Sequence, residues 1–529
     1  MKKNMLIFML LFASNLIFAQ TSSINWLWQS ESTSSVTGTS ITTDESFVYA
    51  TGIFSDTCSF GDTVLISKGS SDFYVSKFDN EGKLMWIKQF GGSGYDGCTD
   101  IIYHNGHLYA TGFFAGTLYL ADTMLTSAGS YDIFLIDMNV NGSINLIKQF
   151  GGSGRDQGYT LCTDSKNNLY LSGIFQDTMV MNGTEIISQG DYDLFTAKLD
   201  KEGEVLWVKP AGGPGEDLAL AIAADKYNNV YVTGSFEDTA NFAGTSISSL
   251  GYQDIFLVKY NSSGEQQWLQ KAGGEWGARA SAITIDNDDK LFLTGIFGGD
   301  AFFGNDTIVS NGSFDVFLAN YDLDGKLQWI ETYGSLENDL SSDLIVDNYF
   351  VFLSCCFAGE TVLKDTTLAD RSAQIMQFSK SGQLLDLIQV GKYYRNKVSL
   401  DNSSALYATG EIGGGNTPEL FGDTLILATP FGGDVFITRI EYKHTGTQEL
   451  PAPETIKIFP NPAYHLVNVI YNRDALVTLY NLNGQILQQQ LLQKETGKLT
   501  MDVFNLNPGM YIITLQTELT VVSTKLIKK

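Results

Sequence analysis

Histidine, cysteine and proline are scarce in this chain: 4, 5 and 9 among 529 residues. The histidines, His104, His107, His444 and His465, fall in no zinc or metalloprotease spacing. Cys58, Cys98, Cys162, Cys355 and Cys356 are too few and too irregular for a disulfide scaffold, and suit small buried roles. Basic residues are outnumbered, 33 against 59 acidic, for a formal charge of −26. That field disfavours nucleic acid and anionic lipid, which select basic patches. Past the N-terminus no apolar run approaches the roughly 18 residues of a membrane span. There is no Gly-x-Ser-x-Gly elbow, and no glycine loop is followed by Lys-Ser/Thr, so neither a nucleophile nor a phosphate cradle is indicated. No catalytic residue, metal or cofactor is expected.

Glycine is plentiful, at 53, and it returns in register. Each unit of about sixty residues carries a Gly-Gly-x-Gly-x-Asp turn, a Thr-Gly-x-Phe strand and an Asp-x-Phe strand leading to Trp. The Asp that opens the third strand falls at Asp72, Asp132, Asp193, Asp254, Asp315 and Asp434, with Gln374 in the sixth place. The spacings are 60, 61, 61, 61, 59 and 60 residues. Gly52, Gly112, Gly173, Gly234, Gly295 and Gly410 close the second strand, Cys355 substituting in unit six. The fourth strand is marked by Trp86, Trp207, Trp268 and Trp329, with Leu146 and Asp386 in the remaining places.

One unit reads as four short strands, near 219–224, 230–236, 255–260 and 266–271, separated by Asn- and Gly-rich turns. Such a sheet cannot bury both faces alone, so neighbours must complete its core. The last unit lacks a fourth strand after Tyr442. At the other end of the chain, Trp26 lies sixty residues before Trp86, in the register of a fourth strand with nothing before it. Pairing the two removes both open edges. The expected fold is therefore all-β: a seven-bladed propeller with four-stranded blades and a split last blade over 20–443, then a small C-terminal β-sandwich.

The glycine turns, such as Gly91–Asp96, Gly151–Asp156 and Gly212–Asp217, read as sharp passages from an outer strand to the next inner one. A calcium roll would need the pattern every nine or so residues rather than every sixty. The once-per-unit Asp is expected to accept backbone bonds and pin the loop before its strand. The most variable segment, about sixteen residues between second and third strands, carries threonines that suit a small hairpin. Aromatics on the same face, Tyr95, Tyr131, Tyr192, Tyr252, Trp276 and Phe314, either line a ligand-binding surface or bridge adjacent units.

The termini speak to export. Residues 1–19 join Lys2 and Lys3 to an apolar run ending at Ala19, the form of a signal peptide. Residues 444–454 read as a linker, and 455–529 as a small antiparallel sandwich with strands near 456–459, 467–470, 476–480, 485–489, 501–504 and 510–514. Units 22–443 resemble bacterial β-propeller repeats of the SBBP type, through Gly-Gly-x-Gly-x-Asp, Tyr-x-x-Gly-x-Phe and Asp-x-Phe-x-x-Lys. Residues 455–529 resemble the type A sorting domain of Bacteroidetes type IX secretion. The matching positions include Pro460, Asn461, Pro462, Gly484, Gly509 and Tyr511, with Lys525, Lys528 and Lys529 at the basic end. The resemblance implies Sec passage, then outer-membrane translocation by the type IX machinery, with removal of the tail near the linker. The product would be secreted or held at the cell surface.

Three functions follow as alternatives: a non-catalytic module that binds glycan, polymer or protein, a structural envelope component, and a polysaccharide lyase or hydrolase. The last requires a localised set of unlike acids that departs from the repeat.

Overall fold

The computed structural model describes residues 22–363, 366–368, 371–392, 396–401, 405–413, 419–422, 424–426, 433–442, 457–459, 464–470, 475–481, 485–493, 498–516 and 521–529. The signal segment 1–19, the linker 444–454, and Pro460, Asn461, Pro462 and Gly484 lie outside them, as does the side chain of Lys525. The described residues are all-β, without a helix, and fall into two compact units, 1–443 and 444–529.

The first unit repeats one four-stranded antiparallel sheet. In one copy Leu218–Ala224, Val230–Phe236, Asp254–Tyr260 and Gln266–Gly274 pair in that order. Every residue of Val230–Phe236 is buried, and so are all but one of Asp254–Tyr260. The middle strands are covered on both faces, which is why they read as near-continuous apolar runs.

First strands of successive copies contact one another in a closed circuit. It runs Val36–Thr43, Gly97–His104, Gln157–Thr163, Leu218–Ala224, Ala278–Ile285, Leu340–Val346 and Lys397–Leu400, and returns to Val36–Thr43. The chain ends meet in one of these sheets. Ser23–Gln29 pairs antiparallel with Asp434–Glu441, Trp26 opposite Arg439, and Ala405–Ile412 and Lys397–Leu400 complete it.

Adjacent copies are locked by tryptophan. Trp26 Nε1 donates to the Asn80 carbonyl at 2.8 Å, Trp207 to Ser262 at 3.2 Å and Trp268 to Leu323 at 3.1 Å. Each ring lies on the glycine of the next copy's tight turn, so a side chain at Gly82 would strike Trp26 at 2.6 Å. Trp26 is only half-buried, because one edge of this contact faces solvent.

The variable segments are hairpins, and four of them join the sheet before their own, whereas Thr361–Leu363 with Thr366–Leu368 and Glu419–Phe421 with Thr424–Ile426 form two-stranded sheets. Thr117–Leu120 and Thr123–Thr126 form one such hairpin, with Leu118 opposite Gly92 of the preceding copy. Four-stranded sheets thereby become six-stranded in several copies. Spacing alone could not reveal this, because the pairing crosses from one repeat to the next.

The sixth copy corrects the sequence register. Phe54 faces Asp72 and Phe114 faces Asp132, whereas Phe357 faces Ser372. Ser372, not Gln374, therefore holds the Asp place. Gln374 sits two residues on, where other copies place an aromatic ring over glycine: Gly52 faces Tyr74 and Gly295 faces Phe317. Here Cys355 faces Gln374, so a side chain replaces the bare glycine and a slimmer group replaces the ring.

In the second unit, Lys457–Phe459, Leu466–Ile470 and Lys498–Asp502 form one sheet. Ile486–Leu492, Ala475–Tyr480, Gly509–Gln516 and Val521–Lys528 form another. Val467 and Val469 from the first share a core with Val477, Leu479, Ile513 and Leu515 from the second. Val521–Lys528 is a strand beyond those expected from the sequence, and it takes in most of the basic end Lys525–Lys529. Leu526 and Lys528 point inward, and Tyr511 donates from its hydroxyl to the Asn507 carbonyl at 2.8 Å.

Candidate functional site: the glycine-loop face

Each ordinary glycine loop is organised by two buried carboxyls. Asp72 accepts from the Lys68 amide at 3.1 Å and from Gln89 Nε2 at 2.6 Å. Asp96 accepts from the Gly92 amide at 2.6 Å and the Ala115 amide at 3.2 Å. Asp156 accepts from Gly152 at 2.8 Å, and Asp217 from Gly213 at 2.7 Å. Asp132, Asp193, Asp254 and Asp315 accept from the amides of Ala128, Gln189, Leu250 and Asn311. Asp434 accepts from the Ser32 amide, tying the leading segment to the last third strand. Backbone amides thus take up these carboxylates, consistent with a pinning role.

Burial, partly offset by those amides, pushes Asp96 up to about 6, Asp156 to about 7 and Asp217 to about 8. The two carboxyls approach closely over a glycine. A methyl group at Gly212, whose φ is +148°, would lie 2.6 Å from Asp193 Cγ and 2.8 Å from an Asp217 oxygen. Steric room for paired carboxyls explains this glycine; no anion need be invoked. Among the described residues no group of three His, Cys, Asp or Glu could hold a metal.

The six aromatics fall into two sets. Tyr95 stacks on Phe113, with ring centroids 5.5 Å apart, and meets Tyr131 edge-on at 6.4 Å. The Arg155 guanidinium lies 5.1 Å from the Tyr131 ring centroid and 5.7 Å from that of Tyr192. Tyr95, Tyr131 and Tyr192 therefore knit neighbouring copies together while part of each ring faces solvent. Tyr252, Trp276 and Phe314 instead border one small pocket of about 160 Å³, together with Gln253, Arg279 and Ile296. Tyr252 is 68% exposed and Trp276 59%. Glu237 beside the Tyr252 hydroxyl raises that group above its ordinary value.

Other sequence candidates have ordinary surroundings. His107 Nδ1 lies 2.9 Å from an Asp137 oxygen, and His104 Nε2 lies 2.7 Å from Asn167 Oδ1. All five cysteines are free, and burial pushes the Cys58, Cys98 and Cys356 thiols up to about 12.

Sequence reasoning missed a polar network on the first strands. Asp100 accepts from the Ser40 hydroxyl at 2.8 Å and the Leu161 amide at 2.7 Å, so it joins three successive copies. Asp343 accepts from the Val398 amide at 2.9 Å and lies 3.7 Å from Lys397 Nζ. Their carriers, Thr-Asp in one unit and Ser-Asp in another, have no equivalent in the remaining repeats, so periodicity could not flag them.

Residues 457–529 match the secretion system C-terminal sorting domain. The chain is 25% identical over 268 residues to an uncharacterized WD repeat-containing protein of Acanthamoeba polyphaga mimivirus. It is 24% identical over 238 residues to the regulatory protein FlaEY of Caulobacter vibrioides. These matches take in 42% and 43% of this chain but only 19% and 24% of those proteins. A Synechocystis apocarotenoid oxygenase mutant is similar at 10% identity and TM-score 0.35, over 78% of this chain and 96% of its own. A DUF4221 member from Bacteroides vulgatus is similar at 10% identity and TM-score 0.29, over 65% of this chain and 92% of its own. Among the described residues no helix is long and apolar enough to cross a membrane. The sorting domain marks the protein for export by type IX secretion, to the cell surface or the medium.

Proposed function

We propose that residues 20–443 form a seven-bladed β-propeller with a split last blade, and that it serves outside the cell as a non-catalytic recognition module. On this reading residues 1–19 are the signal peptide and 444–454 the linker. Residues 455–529 dock on the type IX machinery and are then removed. The closed circuit of first strands and the pairing of Ser23–Gln29 with Asp434–Glu441 support the architecture.

The observation that carries the binding reading is the gathering of Tyr252, Trp276 and Phe314 around one pocket on the face whose loops vary most. The sheets hold both ends of the loops that carry these rings, which limits the backbone that must be ordered on binding. A catalytic site would need carboxyls in unlike environments, yet the recurring acids accept backbone amides, and so do Asp100 and Asp343, which depart from the repeat. The test is a glycan and surface-protein array probed with the exported protein. Selective binding without turnover supports recognition. Release of a shortened product would replace the reading with an enzyme, and an empty array would favour a structural role.

A further inference from the structure

The repeats act as controls for one another. In three loops the fourth residue is a closely packed glycine; Glu337 takes that place in Gly334–Asp339, where Asp339 still accepts from the Ser335 and Ala358 amides. A methyl group at Gly94 would lie 2.0 Å from the Ala115 carbonyl oxygen, one at Gly154 2.2 Å from that of Gln176, and one at Gly215 2.5 Å from Glu237 Cβ. The loop before Ala278–Ile285 reads Gly273-Gly274-Glu275-Trp276-Gly277-Ala278. Tryptophan stands where those three loops have glycine, and alanine stands where Asp96, Asp156, Asp217 and Asp339 bind backbone.

The opposing turn has changed to match. Ala115-Gly116, Gln176-Asp177 and Glu237-Asp238 are replaced there by Gly298-Gly299. The Trp276 indole lies over this glycine pair, with ring atoms 3.1–3.5 Å from where a Gly299 side chain would begin. The amide that would have bonded the missing Asp, that of Gly298, donates instead to the Gly277 carbonyl at 3.0 Å. The corner thus keeps its fold while a large ring replaces a hydrogen atom.

Stability alone does not account for the exchange, because Trp276 stays 59% exposed and leaves more than half of its surface in water. One face of the indole is backed by backbone and the other is open, beside Tyr252 and Phe314. A flat apolar platform held at a fixed height suits stacking against another ring. The pocket, at about 160 Å³, has room for one ring and falls short of the roughly 300–1,000 Å³ that encloses a drug-sized ligand.

The charges nearby narrow the choice. Glu237 faces Tyr252, Glu275 is exposed next to Trp276, and the whole chain carries −26, so an anionic ligand is repelled. Arg279 lines the same pocket, so groups of both signs stand around it and a ligand of either charge meets a like one. A neutral sugar ring meets neither obstacle. Its C–H face stacks on the indole while its hydroxyls donate to carboxylates and exchange bonds with the Gln253 amide.

Resting on the recognition reading above, we infer that Trp276, backed by Gly298-Gly299 and flanked by Tyr252 and Phe314, is a stacking subsite for one ring of a neutral saccharide. Isothermal titration of the full chain with neutral hexasaccharides of several linkages, and separately with tetramethylammonium, tests it. At least one hexasaccharide should bind, Trp276→Gly should weaken it by about tenfold or more, and Trp276→Phe should stay within a few-fold of wild type. Near-unchanged melting of Trp276→Gly would separate lost stacking from lost folding. Saccharide binding that survives Trp276→Gly overturns the subsite but leaves the recognition reading standing. Tetramethylammonium binding lost in that variant, without saccharide binding, overturns the sugar assignment. Silence from every probe also overturns it, and the recognition reading falls with it only if the array is empty too.

Discussion

Two corners built on the same plan, Gly212–Asp217 and Gly273–Ala278, differ in what their residues are for. In the first, a glycine makes room for two carboxyls, Asp217 binds the Gly213 amide, and nothing large projects. In the second the carboxyl is gone, a backbone bond replaces it, and an indole projects over a glycine pair. The first corner maximises internal bonding and the second presents a ring. A repeat protein can modify one corner in this way because its neighbours hold the sheet on both sides.

The sharpest way to break the comparison is to move the tryptophan. Gly154→Trp places a ring where the Gln176 carbonyl leaves no room, and should destabilise by about 3 kcal/mol or more in denaturant unfolding. Trp276→Gly should cost less, on the order of 1–2.5 kcal/mol, since more than half of the ring is exposed. Equal losses would mean that the two corners are not sterically distinct.

A second difference is read by pH. Burial raises Asp96, Asp156 and Asp217 in the folded chain to about 6, 7 and 8, against about 3.9 for an unfolded aspartate. The folded state therefore holds protons that the unfolded chain has released. Stability is full below about pH 4 on this account and declines as pH rises through the folded values. Melting temperature should climb as pH falls from 8 to 5, with each such acid contributing on the order of 1–4 kcal/mol over that range. Asp217→Asn should flatten that climb, whereas no substitution at Ala278 in the modified corner is needed to keep it. A melting temperature that falls on mild acidification would refute the buried-proton picture.

Much of the fold was legible because every unit solves the same packing problem at nearly the same length. Val230 to Phe236 was marked by its continuous apolar run, and Trp26 by lying one period ahead of Trp86. What escaped was information that length does not carry. Gln374 was placed by counting, and only strand pairing shows that Ser372 faces Phe357. The hairpins' attachment to the preceding sheet is a long-range choice with no local signature. At the candidate site Trp276, Tyr252 and Phe314 stood out as aromatics in variable loops. Phe314 holds the same place in the repeat as Tyr131 and Tyr192, while Tyr252 and Trp276 lie one residue before the places of Tyr192 and Tyr95, and only coordinates show that these three border one pocket.

Matched exchange of bulk is also visible inside the sheets, where Cys355 facing Gln374 replaces glycine facing a ring. If that pair is coupled as the Trp276 corner is, Gln374→Phe alone should clash with Cys355. Adding Cys355→Gly should recover about 1–2 kcal/mol in a double-mutant cycle followed by unfolding. Additive effects would show that drift, and not steric matching, separated this copy from the others.

The smallest expected effect lies on the knitted side of the face. Arg155 rests over Tyr131 and Tyr192 at the surface, where a cation over a ring contributes about 0.5–1 kcal/mol. Arg155→Gln should therefore lower stability by no more than that, and it should leave saccharide binding at Trp276 unchanged. If binding weakens as well, the two aromatic sets form one continuous surface, and the pocket beside Trp276 is one ring's share of a longer track along the glycine loops.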